Sequence, residues 1–207
     1  MLKLYYAPGT IAVAVALALE EAGLAYEPIK VDFASGAQSK PDYLALNPKG
    51  RVPVLVTEAG TVLTETGALL DYIAARAPEA GLVPSDPERA AHMRSVMYYL
   101  ASTMHVAHAH KMRGHRWADQ QSSQEDMKAK VPQTMAECAA YIEANGFLGD
   151  YVAGEALSLA DPYLFVVSTW LPGDGVTRAD FPRLDAFAER MEKRDSVKAV
   201  RAKGILA

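Results

Sequence analysis

The sequence predicts an α/β half followed by an all-α half, and three observations divide it so. From Leu2 to Ala77 short alternating segments take turns with helical ones. The next ten residues, Pro78 to Pro87, hold three prolines and a glycine; beyond them alternation stops and helical spacing continues to about Arg194. The expected boundaries are an α/β domain over 1–78, a linker over 79–87 and an all-helical domain over 88–207.

Each element has a local reason. Leu2, Leu4 and Tyr6 alternate as one face of a strand, which breaks at Pro8-Gly9 before an Ala/Val/Leu-rich helix that runs to Glu21 and stops at Gly23. Tyr26 to Val31 has strand composition, and Ala34 to Pro41 reads as a loop of small and polar residues. A short helix over Asp42 to Leu46 leads to Asn47-Pro48. Val52 to Val56 and Thr61 to Leu63 then flank Glu58-Ala59-Gly60 at the spacing of an antiparallel hairpin. From Glu65 to Ala77, Leu69, Leu70, Ile73 and Ala74 share a helical face that ends before Pro78. The order is βαβαββα. In the second half, helices are expected over Glu88 to about Trp117, Glu125 to Asn145, Ser158 to Trp170 and Phe181 to about Arg194.

Composition narrows the function. With 207 residues, 50% hydrophobic and 22% charged, the chain buries an ordinary core, about 70% of its extended surface. A net charge of −4 with no block of like charge argues against a nucleic-acid partner. Cys138 is the only cysteine, which excludes an internal disulfide, a CxxC pair and a multi-cysteine zinc site. The opening Met1 to Tyr6 enters strand alternation at once, unlike a secretory leader, and the longest apolar run, Thr10 to Leu19, is too short to span a bilayer. The expectation is a cytoplasmic protein without a membrane partner.

Three motifs then fall in order: Asn47-Pro48-Lys49-Gly50-Arg51-Val52-Pro53-Val54-Leu55, Leu63-Thr64-Glu65-Thr66, and Ser158-Leu159-Ala160-Asp161. Together with the two unlike halves they resemble the cytosolic glutathione transferase family, and the resemblance covers essentially the whole chain. It implies a thioredoxin-like first domain, glutathione as co-substrate with no other cofactor, a small apolar electrophile as second substrate, and a two-fold homodimer.

Physical chemistry gives each motif a task in that setting. Proline makes a cis bond accessible, so Val52-Pro53 suits a bend that frees the Val52 backbone to pair with a peptide lying alongside it. Thr66, in the first turn of its helix, favours an anion such as the γ-glutamyl carboxylate, while Glu65 suits the adjacent ammonium. Lys40, Lys49 and Arg51 are the cations available for the glycine carboxylate. Ser158 and Asp161 read as a capping box, which is structural.

The opening Lys3 to Ala12 looks most like the bacterial beta class, with Ile11 where that class carries a cysteine. Thr10 is therefore the first candidate to stabilise the thiolate, helped by the N–H groups of Ile11 and Ala12, and Tyr6 the second. His105 matches the position from which beta-like members bring a histidine to sulfur, with Val106 in place of the usual following lysine. His105 and His108 stand three apart on one helix, but no acidic third ligand accompanies them, so no metal site is expected. The electrophile pocket is expected to draw on Met104, His108, Met112 and Trp117, with Met97 and Arg113 as further candidates. Cys138 reads as a packing residue. Two rival functions remain open at this point: a glutathione-binding protein with little transferase activity, and a glutathione-dependent peroxidase or disulfide reductase.

Overall fold

The computed structural model of the chain describes residues 1–206; Ala207, the last residue of the helical half as read from sequence, lies outside them. By contact the chain forms two compact units, Met1–Val83 joined by the segment from Glu192 onward, and Pro84–Met191.

The first unit is built on strands β1 (Leu2–Tyr6), β2 (Tyr26–Lys30), β3 (Val54–Val56) and β4 (Val62–Thr64) in the order β2-β1-β3-β4. β1 runs parallel to β2, as the intervening helix requires, and antiparallel to β3; β3 and β4 form the hairpin. Helices α1 (Ala12–Glu21), α2 (Pro41–Leu46) and α3 (Thr66–Arg76) complete the βαβαββα order of a thioredoxin-like domain. Strand alternation sorts the two faces. Leu2, Leu4 and Tyr6 are buried on one side of β1, whereas Tyr5 points to the other, where its ring meets Tyr43 of α2 edge-on at 6.2 Å. Tyr43, Val31 and Val54 form the small core on that second face.

Helix α1 is apolar nearly all round because it is enclosed: Ala12 through Leu19 are all buried, with α3 and the last helix of the chain, α9 (Asp195–Ala202), packed on it. Its end is specific. Gly23 at φ +63° lets the Leu24 N–H reach the Leu19 carbonyl at 3.0 Å and its own N–H reach Glu20 at 3.1 Å, a Schellman closure.

That last helix, α9, was not foreseen from sequence. It is short and amphipathic, burying Val197 and Val200. Past it, Ile205 is fully buried and its carbonyl accepts from the Gly9 N–H at 3.3 Å, so the tail of the chain braces the turn that precedes α1.

The second unit is helical: α4 (Pro87–Tyr99), α5 (His105–Arg113), α6 (Gln121–Asn145), α7 (Ala160–Trp170) and α8 (Pro182–Glu192). Asp86 caps α4 by accepting from the Arg89 N–H at 2.8 Å. The single helix expected over 88–117 is divided, because a π-helical turn at Leu100–Met104 separates α4 from α5 and α5 stops at Arg113. α6 begins four residues earlier than expected and carries Pro132 inside it.

Ahead of α7, Asp161 is completely buried and its carboxylate accepts from the Ser158 N–H (2.6 Å), the Ser158 hydroxyl (2.7 Å) and the Val152 N–H (2.9 Å). The expected reciprocal box is thus formed on the carboxylate side; the Ser158 hydroxyl donates into it rather than accepting an N–H, and the Asp161 N–H goes to the Ser158 carbonyl.

Candidate active site

In the first unit three backbone turns bring polar groups to the surface near the ends of β1, β3 and β4. The Val52–Pro53 peptide is cis, and β3 begins only at Val54. Neither the N–H nor the carbonyl of Val52 has a hydrogen-bond partner among the described residues, although the strand beside it is fully laddered. A half-exposed backbone in this state offers one donor and one acceptor to an added extended chain.

The segment that delivers Val52 is fixed from inside. The Tyr43 hydroxyl and the Asn47 amide both donate to the Arg51 carbonyl at 2.7 Å, and the Asn47 side-chain oxygen accepts the Lys49 N–H at 3.2 Å. Asn47 is only 1% exposed. Burial, with the Tyr5 phenol nearby, pushes the Tyr43 hydroxyl up to about 12, so it stays a neutral donor. Sequence reading named Val52 and Pro53 but missed these two positioning residues; the Asn47-Pro48 pair before Gly50 was the available signal.

Glu65 follows β4 with φ +73°, the only non-glycine positive φ among the described residues. That turn exposes its carboxylate and starts α3 at Thr66, which is 8% exposed and whose hydroxyl has no partner among the described residues. The N–H groups of Thr66 and Gly67 are likewise unpaired there, at the positive end of the helix dipole. Lys49 donates to Glu65 at 2.5 Å and to the Thr64 hydroxyl at 2.8 Å. The structure therefore brings Lys49 to the carboxylate rather than leaving it as a separate cation, while Lys40 and Arg51 are exposed.

At the start of α1, the Thr10 hydroxyl donates to the Ala7 carbonyl at 2.7 Å, and α1 has no side-chain cap. The N–H groups of Ile11 and Ala12 make no hydrogen bond among the described residues. Tyr6 is buried on the α1 face of β1, near enough to Tyr26 to help raise that phenol, whose shift comes mainly from burial and its bond to Glu20.

The candidates of the second unit divide by burial. Met104 is fully buried in the core, Met112 is 72% exposed, and Trp117 is on the surface with its ring against His110 at 4.5 Å. His105 and His108 do belong together: His105 lies 3.4 Å from the Tyr163 hydroxyl and 5.0 Å from the Trp170 ring, and His108 stacks on Trp170 at 4.3 Å. His108 Nδ1 is 2.6 Å from Asp174. Cys138 is buried, and burial pushes its thiol up despite the Tyr99 hydroxyl bonded to it, the opposite of an activated nucleophile.

Comparison with known proteins accounts for this arrangement. Residues 1–75 match the family model for the glutathione S-transferase N-terminal domain and residues 107–204 that for the C-terminal domain. A crystal structure of a glutathione transferase homologue from Sulfitobacter, with bound glutathione, is 66% identical and superimposes with a TM-score of 0.98, covering 100% of this chain and 99% of that one. The beta-class glutathione S-transferase of Sphingomonas chungbukensis is 30% identical with a TM-score of 0.83, over 98% of both chains. Glutathione S-transferase GST-4.5 of Xanthomonas campestris pv. campestris is 31% identical over 99% of this chain and 100% of its own length. On the strength of both domain matches and these relatives, the chain belongs to the glutathione S-transferase family.

Proposed function

We propose that the chain conjugates reduced glutathione to apolar electrophiles by thiolate attack, with 1–78 binding the tripeptide, 79–87 acting as linker and 88–207 receiving the electrophile. The observation that carries this is the pair of unladdered groups on Val52 beside the Glu65–Thr66 turn. The cysteinyl main chain pairs with the Val52 N–H and carbonyl, the γ-glutamyl carboxylate sits on the Thr66 hydroxyl and the first N–H groups of α3, and Glu65 takes the ammonium. Lys49 then gives up part of its hold on Glu65, and Lys40 or Arg51 faces the glycine carboxylate.

This placement puts sulfur at the start of α1. Lowering a thiol by two pKa units requires about 2.7 kcal/mol of preference for the thiolate. Hydrogen bonds to a charged acceptor contribute roughly 1.5–3 kcal/mol, and a helix N-terminus about 0.3–1 kcal/mol more. The unpaired N–H groups of Ile11 and Ala12 suit that task. Thr10, with its hydrogen directed to Ala7, suits holding the turn, and Tyr6 and His105 are the side-chain alternatives. The sulfur attacks the electrophilic carbon, the leaving group departs with its electron pair, and the protein contributes orientation and charge stabilisation.

Calorimetric titration with reduced glutathione, paired with turnover of chlorodinitrobenzene, tests the reading. Saturable heat with turnover is expected; no heat at millimolar glutathione would overturn it. The commitment of the Thr10 hydroxyl to Ala7 favours one second reading, a glutathione-binding protein with little activity; retention on immobilised glutathione without turnover selects it. A homodimer is proposed with the family, and light scattering at twice the chain mass is the expected result.

A further inference from the structure

We infer that Lys49 sets the thiol specificity of the glutathione site: by matching the charge of Glu65 from within the chain, it lets the site accept thiols of the glutathione type that carry no charged amino group. This rests on the transferase reading and adds to it a substrate class and a specificity-determining residue. All the groups concerned belong to the first compact unit.

Lys49 is placed by the same turn that places Val52. Its N–H is accepted by the Asn47 side-chain oxygen at 3.2 Å, and Asn47 is itself buried. Gly50 follows at φ +60° with its N–H on the Asn47 carbonyl at 2.9 Å, and a Cβ there would stand 3.1 Å from the Gln38 carbonyl, so a side chain would strain the turn. From this base the ammonium reaches two acceptors 15 and 16 residues away, the Thr64 hydroxyl oxygen at 2.8 Å and the Glu65 carboxylate at 2.5 Å. Both acceptors are fixed from their own side. Thr64 closes β4 opposite Val54, and Glu65, at φ +73°, accepts the Leu69 N–H on its carbonyl at 3.0 Å. A hydroxyl oxygen and a carboxylate converging on one nitrogen make a site for an ammonium ion, and Lys49 supplies one from the protein itself.

Two ammonium groups then call on one carboxylate. A ligand amine at Glu65 either displaces Lys49 or shares the carboxylate with it, and each route lowers what the amine gains. Displacement gives up the bonds of the lysine, and sharing sets two like charges around one anion. A ligand without the amine leaves Lys49 in place and Glu65 matched. With Lys49 removed the reverse holds, because the ligand amine becomes the partner of Glu65 and a ligand lacking it leaves the carboxylate without that partner. The side chains of Lys49 and Glu65 are 39% and 68% exposed, so the effects are those of a solvated ion pair, a few-fold and not a hundredfold.

Calorimetric titration of the full-length protein with reduced glutathione and with glutaryl-cysteinyl-glycine, the same tripeptide with hydrogen in place of the amino group, gives the ratio of the two Kd values. In wild type the analogue binds within about fivefold of glutathione. In Lys49→Met and Lys49→Gln glutathione binds about threefold tighter, the analogue does not, and the ratio widens by about threefold or more. Lys49→Arg, which keeps the charge, holds the wild-type ratio. Equal changes for both ligands in Lys49→Met, the result of a lysine that grips a carboxylate of the ligand, overturn the inference and leave the transferase reading intact. Wild-type protein that binds glutathione but not the analogue does the same. No heat from glutathione in wild type overturns both readings.

Discussion

A threonine hydroxyl has one hydrogen to give, and Thr10 directs its own to the Ala7 carbonyl at 2.7 Å. Donation to a thiolate requires breaking that bond, whereas the neighbouring N–H groups of Ile11 and Ala12 are open among the described residues. Thr10→Val is therefore expected to leave the pKa of the bound thiol within about half a unit of wild type while lowering kcat several-fold through a looser turn, read from thiolate absorbance against pH. An upward move of one to two units would return the hydroxyl to the role of donor. Thr66 has the opposite character: only 8% exposed, with a hydroxyl at the helix end that has no partner among the described residues. Losing one hydrogen bond to a carboxylate costs about 1.5–3 kcal/mol, so Thr66→Ala is expected to raise the KM for glutathione roughly tenfold or more, and Thr66→Ser to change it little. Equal KM values in steady-state kinetics would remove Thr66 from the site.

At the scale of elements, the segment from α2 to β3 is held by two donors on one carbonyl, Tyr43 and Asn47 on Arg51. Asn47→Ala removes one donor and the acceptor for the Lys49 N–H. Its expected cost is about 1–3 kcal/mol in urea denaturation, together with a higher KM for glutathione as Val52 loses its fixed position. Unchanged binding with lowered stability would make Asn47 structural only. How legible such features were in the sequence follows from their range. The βαβαββα order was readable because each strand alternates within itself and the Glu58-Ala59-Gly60 turn is local. Val52, Glu65 and Thr66 were readable because the motifs around them are contiguous. The inward turn of Asn47, the direction of the Thr10 hydrogen and the Lys49–Glu65 pair were not, since a rotamer or a partner 16 residues away leaves no periodic trace. The π turn before His105 escaped for a related reason: helical spacing continues through it, and only hydrogen-bond register reveals it. The Asp174 partner of His108 lies 66 residues away.

At the scale of the whole molecule, the first compact unit is discontinuous in sequence, closed by the segment from Glu192 onward. Its clasp lies at the end of α1. Arg194 Nε and an Nη donate to the two oxygens of Glu21 at 2.6 and 2.7 Å, and the Ser196 hydroxyl adds a third bond, across a separation of 173 to 175 residues. Lys203 reaches Glu20 beside it, and the Gly9 N–H meets Ile205 at the far end of α1. Burial by itself would raise the Glu21 carboxyl, but the hydrogen bonds from Arg194 and Ser196 and the guanidinium charge outweigh it and hold the group below its ordinary value of 4.5. The sign of the pH dependence follows. A carboxyl depressed in the folded state contributes stability that is complete above its ordinary pKa and is lost as pH falls through the folded one. Glu21→Gln is therefore expected to be less stable than wild type by about 2 kcal/mol at pH 7, with the gap narrowing as pH falls below the ordinary carboxyl value and on through the lower folded one, where wild-type Glu21 takes up its proton. Urea denaturation across that pH range measures it. A gap that stays constant into acid would mean that the clasp acts through packing of α9 on α1 and not through the charge on Glu21.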